Sequence, residues 1–449
     1  MRFRPSHLIL VIVIAFAAAV TWLLLTRPTV TAPTASPSAS AIEASLRRPI
    51  TELPPADPVP WEAVEWQPID DAFGERDVHR RIDGLVDAGG QLVAWGRAPQ
   101  EGRNQFNDMG AVWLSVDGAA WREVLVDAGV NAASTSSIGG VAAGPRGLLA
   151  FGSVCCDPES AALWHSPDGL DWRRIELAGD ISGYVLEVIG LEDGWVALGS
   201  SVDGLASELW HSADGATWET VLHVEGGRFV QALASLDRTP EGLVAVGTHI
   251  AADGSYDGGV WRSVDGRSWE RIGAEDSALA DGEAQLHRVI GHAGGMLVSG
   301  IVGTAEQRRQ CEELLGMVAS LDPAPATPPR PNATSCMSGS EHLWTSVDGA
   351  AWQRVEEPGP ELRPIEYRVA VPGGPGVVLL GEGSGPESPD TALFTSPDGM
   401  AWNAIGPDGP IRQDTAIELV VRGRQVLAVT EHWDGTESSF RAWIGTASP

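Results

Sequence analysis

The chain has 449 residues, of which 43% are apolar and 20% charged, proportions that suit a packed body and exclude a disordered acidic polymer. Sixty acidic against 30 basic residues leave a formal charge of -30, which opposes binding to nucleic-acid phosphates and to anionic lipid headgroups. Every basic residue is Arg, so lysine Schiff-base chemistry and a Walker-type phosphate loop are excluded, and the Lys-free, Ala/Gly/Arg/Asp-rich usage points to a GC-rich bacterial genome.

Residues Leu8 to Leu25 form an uncharged, almost wholly apolar run of 18, long enough to span a bilayer. Arg2 and Arg4 precede it, so the charge bias places the N-terminus inside and the bulk of the chain outside. The expectation is a short cytoplasmic tip and transmembrane anchor over 1–26, giving a single-pass protein of the bacterial cell membrane. The alternative is a cleaved signal peptide with a site near Ala39-Ser40-Ala41, which would make the chain secreted. Residues 27–58, rich in Pro, Ala, Ser and Thr, read as an extended linker.

From residue 59 onward the chain repeats. A box of an aromatic, any residue, Ser, any residue, Asp-Gly, two residues and Trp occurs from Trp113, Trp164, Trp210, Trp261, Trp344 and Phe394. The box aspartates are Asp117, Asp168, Asp214, Asp265, Asp348 and Asp398, separated by 51, 46, 51, 83 and 50 positions. Upstream of each box lie two short apolar runs, the second ending in Gly, as in Leu148-Leu149-Ala150-Phe151-Gly152. By length and flanking Gly these are buried strands. Each unit of about 50 residues therefore predicts four strands: inner, second, box and outer. Such units bury their faces only against each other around a ring, which predicts an all-β, seven-bladed β-propeller over 59–449. The seventh unit, near 417–444, lacks its outer strand, and Trp61 to Trp66 resembles the segments that follow the boxes. An N-terminal strand is thus expected to close the last blade, giving a monomeric ring.

The box resembles the Asp-box, or bacterial neuraminidase repeat, of sialidases, sortilin-type receptors and photosystem II assembly propellers. All six copies here have Asp directly before Gly, a shortened variant of the family spacing. The resemblance implies the propeller fold, with box Ser, Asp and Gly shaping a turn and the aromatics packing it.

The 83-residue interval holds an insertion in blade five, about residues 304–341, in which Cys311 and Cys336 bracket a Pro-rich stretch and form a disulfide candidate. Cys155 and Cys156 are adjacent, and the sequence leaves open a vicinal bond, free thiols or a cross-link to the insertion. No paired CxxC or His cluster accompanies them, so no metal and no cofactor is expected. Loops between second and box strands share one rim. Asp157, Glu159, Asp203, Glu208, Asp253, Asp257, Glu382, Glu387, Asp390, Glu431, Asp434 and Glu437 make that rim acidic and suited to cations or basic partners.

Alignment of the inner strands on Ile82, Ile138, Val188, Leu233, Val289, Val369 and Leu419 puts Arg81, Ser137, Glu187, Ala232, Arg288, Arg368 and Glu418 just before them. On this reading Arg81, Arg288 and Arg368 meet Glu187 and Glu418 at the channel mouth, with Tyr367 beside Arg368. Ion pairing around the channel is one outcome. Three convergent guanidinium groups gripping a carboxylate, as in the sialidase Arg triad, is another. The Phe/Tyr-Arg-Ile-Pro segment expected of sialidases is absent, and their domain has six blades. Two functions follow: a non-catalytic scaffold outside the cell that binds a cell-envelope protein or glycan, or a sialidase-like glycoside hydrolase acting on acidic sugars.

Overall fold

The computed structural model describes residues 59–448 apart from 60, 62–63, 70, 75–79, 100–108, 127–134, 156–159, 182, 202–203, 227–229, 273–277, 281–282, 322–338, 356–365, 374–375, 386–387, 406–410, 412–413 and 434–437. The expected anchor and linker lie outside the described residues. Among those described, no helix is long and apolar enough to cross a membrane.

Seven antiparallel sheets follow one another along the chain, and their inner strands neighbour each other in a closed circle. The inner strands are Arg81–Asp87, Thr135–Gly144, Tyr184–Gly190, Leu233–Thr239, Glu283–His292, Glu366–Gly373 and Thr415–Arg422, and they define blades 1 to 7. In blade 1 the second, box and outer strands are Leu92–Ala98, Met109–Ser115 and Arg122–Leu125. Blade 3 adds a short parallel strand, Ala178–Gly179, beside its outer strand. Blade 7 is completed by Val64–Ile69, which pairs antiparallel with Ser438–Ala447 from Val64 opposite Ala447 to Ile69 opposite Ala442. The described residues form a seven-bladed β-propeller whose first and last strands meet in one sheet, so the ring presents no open flank at the seam.

The apolar core divides in the same way. Seven clusters of buried side chains each lie between two adjacent blades. The box aromatics Trp113, Trp164, Trp210 and Trp344 are among the largest fully buried side chains. They anchor the box strands because a buried indole removes far more apolar surface from water than an aliphatic side chain does.

All six boxes fold alike. In the first, Asp117 Oδ1 accepts the N–H groups of Ala119 and Ala120 at 2.9 and 3.1 Å, Ser115 Oγ accepts that of Gly118 at 2.9 Å, and Trp121 Nε1 donates to the Gly118 carbonyl at 2.8 Å. Gly118 has a φ of 77°, a left-handed conformation that side chains disfavour. Asp directly before Gly thus suffices to close the turn.

One regularity is invisible as a residue pattern. In every inner strand the pairing with the second strand slips by one residue at the same height, leaving Asp83, Gly139, Leu186, Ala234, His287, Arg368 and Ile417 as bulges. The residue before the bulge faces Gly96, Gly152, Gly199, Gly247, Gly300 or Gly381 in blades 1 to 6 and Thr430 in blade 7. A Cβ at Gly152 would stand 1.9 Å from the Ser137 carbonyl oxygen, so the Gly that ends each apolar run makes room for the bulged backbone.

The insertion of blade 5 begins with helix α1, Ala305–Leu321. Its N-terminus is a capping box: Thr304 Oγ1 accepts the Gln307 N–H at 3.2 Å, and Gln307 Oε1 accepts the Thr304 N–H at 2.9 Å. The Thr-x-x-Gln spacing ahead of a run of good helix formers is the sequence signal for this helix, which the reading of the segment as an insertion did not use.

Candidate functional site

The inner strands start, and the second strands end, on one face of the ring, termed here the entry face. The box turns occupy the opposite face. Because each bulge shifts the pleat by one residue, equivalence between blades has to be counted from it. The residues immediately after the bulges are Gly84, Gly140, Glu187, Ser235, Arg288, Val369 and Glu418.

This count corrects the sequence alignment, which matched apolar residues on opposite sides of the bulge. Glu187, Arg288 and Glu418 do share a level. Arg368 is itself the bulged residue of blade 6, and Arg81 precedes the blade 1 bulge by two positions. The register therefore sets the three arginines at three heights. Arg81 is paired with its own neighbour, its Nε donating to Asp83 Oδ1 at 2.5 Å. The side chains of Arg368 and Tyr367 lie outside the described residues. Tyr367 occupies the position before the bulge, where Ile82, Ile138, Val185, Leu233 and Leu286 are buried core residues.

On the inner strands, the Arg288 guanidinium acts through space on three carboxylates. Glu187 accepts the Leu236 N–H at 2.6 Å and the Ser235 hydroxyl at 3.3 Å, both from blade 4. Asp237, which the sequence reading did not single out, accepts the Gly291 N–H of blade 5 at 2.9 Å and the Arg238 N–H at 2.7 Å. Glu418 accepts the N–H of adjacent Leu419 at 3.3 Å. Burial among the inner strands pushes Glu187 and Glu418 up to about 7 and Asp237 to about 6. The Arg288 charge opposes the rise in all three without cancelling it. Their surface exposure is intermediate.

On the entry face, Glu208 is hydrogen-bonded to His223 Nδ1 at 2.8 Å, which raises the imidazole above its ordinary value. Asp257 stands 3.8 Å from His249, and Asp253 accepts the Ser255 N–H within its own turn. Asp157, Glu159, Asp203, Glu387, Asp434 and Glu437, together with the side chains of Glu382 and Asp390, lie outside the described residues. In blade 7, buried Asp414 accepts the Thr430 hydroxyl at 2.8 Å and is bonded to His432 Nδ1 at 2.7 Å, and Trp443 Nε1 donates to Thr430 Oγ1 at 3.1 Å. This chain ties the closing blade together where the other six have Gly.

Helix α1 is latched to the entry face by groups from blades 4 and 5. Arg308 Nε donates to buried Glu283 at 3.1 Å, and Glu283 also accepts the Tyr256 N–H at 2.8 Å. The Tyr256 hydroxyl donates to Glu312 at 2.6 Å, and the Arg308 guanidinium carbon lies 4.9 Å from the centre of the Tyr256 ring. Burial and the Glu312 carboxylate together push the phenol well above its ordinary value. Cys311, in the same helix, is disulfide-bonded, and its proposed partner Cys336 lies outside the described residues. Among the described residues no group of three or more His, Cys, Asp or Glu side chains is placed to hold a metal.

No family model matches the sequence. No curated protein matches it either. Among solved structures, the β-propeller domain of the Trilobed protease from Pyrococcus furiosus is similar over 80% of this chain and 96% of its own, with 12% identity and a TM-score of 0.45. Trypanosoma rangeli sialidase in complex with sialic acid is matched over 86% of this chain at 13% identity and a TM-score of 0.40. A puromycin hydrolase is matched over 86% at 14% identity and a TM-score of 0.46. The chain spans 58% of the sialidase chain and 55% of the hydrolase chain.

Proposed function

We propose that this chain is a non-catalytic binding ring, held outside the bacterial cell by its N-terminal apolar segment, that presents its entry face to a cell-envelope protein or glycan. The observation that carries this reading is the latch on helix α1. A four-residue network of Tyr256, Glu283, Arg308 and Glu312 holds an inserted helix against two blades, as a rigid contact element requires and an idle loop does not. The groups that would serve a sialidase-like reaction are otherwise engaged or separated. Arg81 is bound to Asp83, Glu187 clamps the next blade, and the three arginines stand at different levels.

The test compares the intact chain with one in which residues 305–340 are replaced by a short Gly-Ser turn, on immobilised envelope glycans and solubilised membrane proteins. Retention of the intact chain and its loss in the shortened one is the expected result, with no turnover of fluorogenic acidic sugars by either. Equal behaviour of the two, or sugar turnover that collapses in Arg288→Ala, would reverse the reading.

A further inference from the structure

Blade 7 carries a polar relay that ends at the entry face. Trp443 Nε1 can only donate, and it donates to Thr430 Oγ1 at 3.1 Å, so the Thr430 hydroxyl spends its single proton on Asp414 Oδ2 at 2.8 Å. Asp414 is 1% exposed, and its Oδ1 stands 2.7 Å from His432 Nδ1 and 3.6 Å from a terminal nitrogen of Arg441. One buried oxygen thus gathers an imidazole and a guanidinium from two adjacent strands, Gln425–Trp433 and Ser438–Ala447. A carboxylate only accepts, so Nδ1 of the neutral imidazole carries the shared proton and Nε2 is a hydrogen-free acceptor. His432 and Arg441 are both partly exposed, and among the described residues neither has a further hydrogen bond or ion pair. Trp433 ends the same strand as His432, and at 61% exposure it is the one exposed aromatic side chain among the described residues. Successive strand residues face opposite sides, so His432 and Trp433 flank the strand end.

An oriented acceptor beside a fork of donors selects its ligand by elimination. A carboxylate would suit Arg441 but meet the lone pair of His432 Nε2, and an ammonium would suit Nε2 but meet the guanidinium. The formal charge of -30 also disfavours anions. Neighbouring hydroxyls suit both groups, because each hydroxyl donates and accepts, and the apolar side of a sugar ring covers an exposed indole. We propose that the blade 7 end of the entry face binds a neutral oligosaccharide laid across the strand end. One hydroxyl donates to His432 Nε2, its neighbour accepts from Arg441, and an adjoining ring packs on Trp433. This rests on the reading of the entry face as a binding surface, and within that reading it chooses a glycan and names its chemistry. The contact is small and weak, so helix α1 is still needed to retain the chain on immobilised material.

The experiment is calorimetric titration of the purified full chain with cellobiose, lactose and mannobiose, and with cellobiouronic acid and the glucosamine dimer as charged counterparts. Saturable binding of at least one neutral disaccharide is expected, with a Kd of about 0.1–1 mM and the charged sugars at least about tenfold weaker. Arg441→Met, His432→Phe and Trp433→Ala should each weaken it by about tenfold, and Leu205→Ala, elsewhere on the entry face, should leave it unchanged. Circular dichroism checks that each variant is folded. The chain with residues 305–340 replaced should bind the disaccharide in solution as the parent does. Absence of saturable binding up to about 20 mM, cellobiouronic acid equalling the neutral sugars, or unchanged binding in folded Arg441→Met or Trp433→Ala would each overturn the site. Binding that vanishes with residues 305–340 would also overturn it, by moving the contact to helix α1. None of these results alters retention on immobilised envelope material, so the site and the wider reading of the entry face fail separately.

Discussion

The Glu187 carboxylate of blade 3 accepts a hydrogen bond of 2.6 Å from the Leu236 backbone N–H of blade 4. Asp237 repeats the device one seam further on, accepting the Gly291 N–H of blade 5 at 2.9 Å. Three consecutive blades are thus stitched at their inner edges by side chain to backbone bonds, where the strands offer each other no ladder.

These clamps set the pH dependence of stability. A carboxyl whose folded value lies above its unfolded one contributes stability that is fully present below the unfolded value and is lost as pH rises through the folded one. For Glu187 and Glu418 the window runs from 4.5 to about 7, and for Asp237 from 3.8 to about 6. The box aspartates are lowered from 3.8 by the turn N–H groups they accept, so their contribution is present above 3.8 and lost as pH falls. The melting temperature is expected to peak at about pH 4–5 and to decline toward pH 8. Glu187→Gln keeps the acceptor for Leu236 and should flatten part of that decline. Identical thermal profiles for the two proteins across this range would contradict it.

The bulge and the box predict opposite sensitivities. Gly152→Ala sets a methyl against the Ser137 carbonyl and is expected to destabilise by on the order of 3 kcal/mol or more. Asp117→Ala removes two turn bonds from an exposed carboxylate and should cost roughly 1 kcal/mol after solvent screening. Urea unfolding of both variants checks the ranking, which a larger loss for Asp117→Ala would invert.

At the seam between blades 7 and 1, Arg422 grips Asp87 through two bonds of 2.5 and 2.8 Å and donates to the Val116 carbonyl at 2.9 Å. Arg422→Met is expected to cost about 1–3 kcal/mol. Removing the chain through Ile69 should do more, because the strand Ser438–Ala447 becomes a free edge open to pairing between molecules. Size-exclusion chromatography of the truncated chain is expected to show aggregates. A well-behaved monomer of unchanged melting temperature would mean that Val64–Ile69 is dispensable.

Arg308→Ala leaves Glu283, whose side chain is 8% exposed, without its cation and frees the first turns of helix α1. Limited proteolysis is expected to cut within 305–321 in the variant and to spare that segment in the parent, with the rest of the ring intact in both. Equal resistance in the two proteins would show that Arg308 does not hold the helix.

The box from Trp113 to Trp121 shows how the architecture could be read from sequence. Its Ser, Asp, Gly and Trp all bond within a few residues of one another, so a local pattern encodes a local turn. The strand that completes blade 7 was legible for a related reason, since Trp61 to Trp66 has the composition of an outer strand with no blade of its own. The heights of Arg81, Arg288 and Arg368 were not legible. They depend on bulges that are displacements between strands, and the one sequence trace, the Gly facing each bulge, lies on the neighbouring strand. The pairing of Arg308 with Glu283 joins residues 25 positions apart through the turn into the insertion, and no short-range pattern foretells it.

Blade 7 draws three strands from the end of the chain and one from near its beginning. During synthesis, Val64–Ile69 emerges from the ribosome before the other described strands, and its partner Ser438–Ala447 arrives last among them. Six blades can stack as they are made, but the circle locks only once Ser438–Ala447 has been made, and Val64–Ile69 must wait unpaired through the synthesis of the strands between.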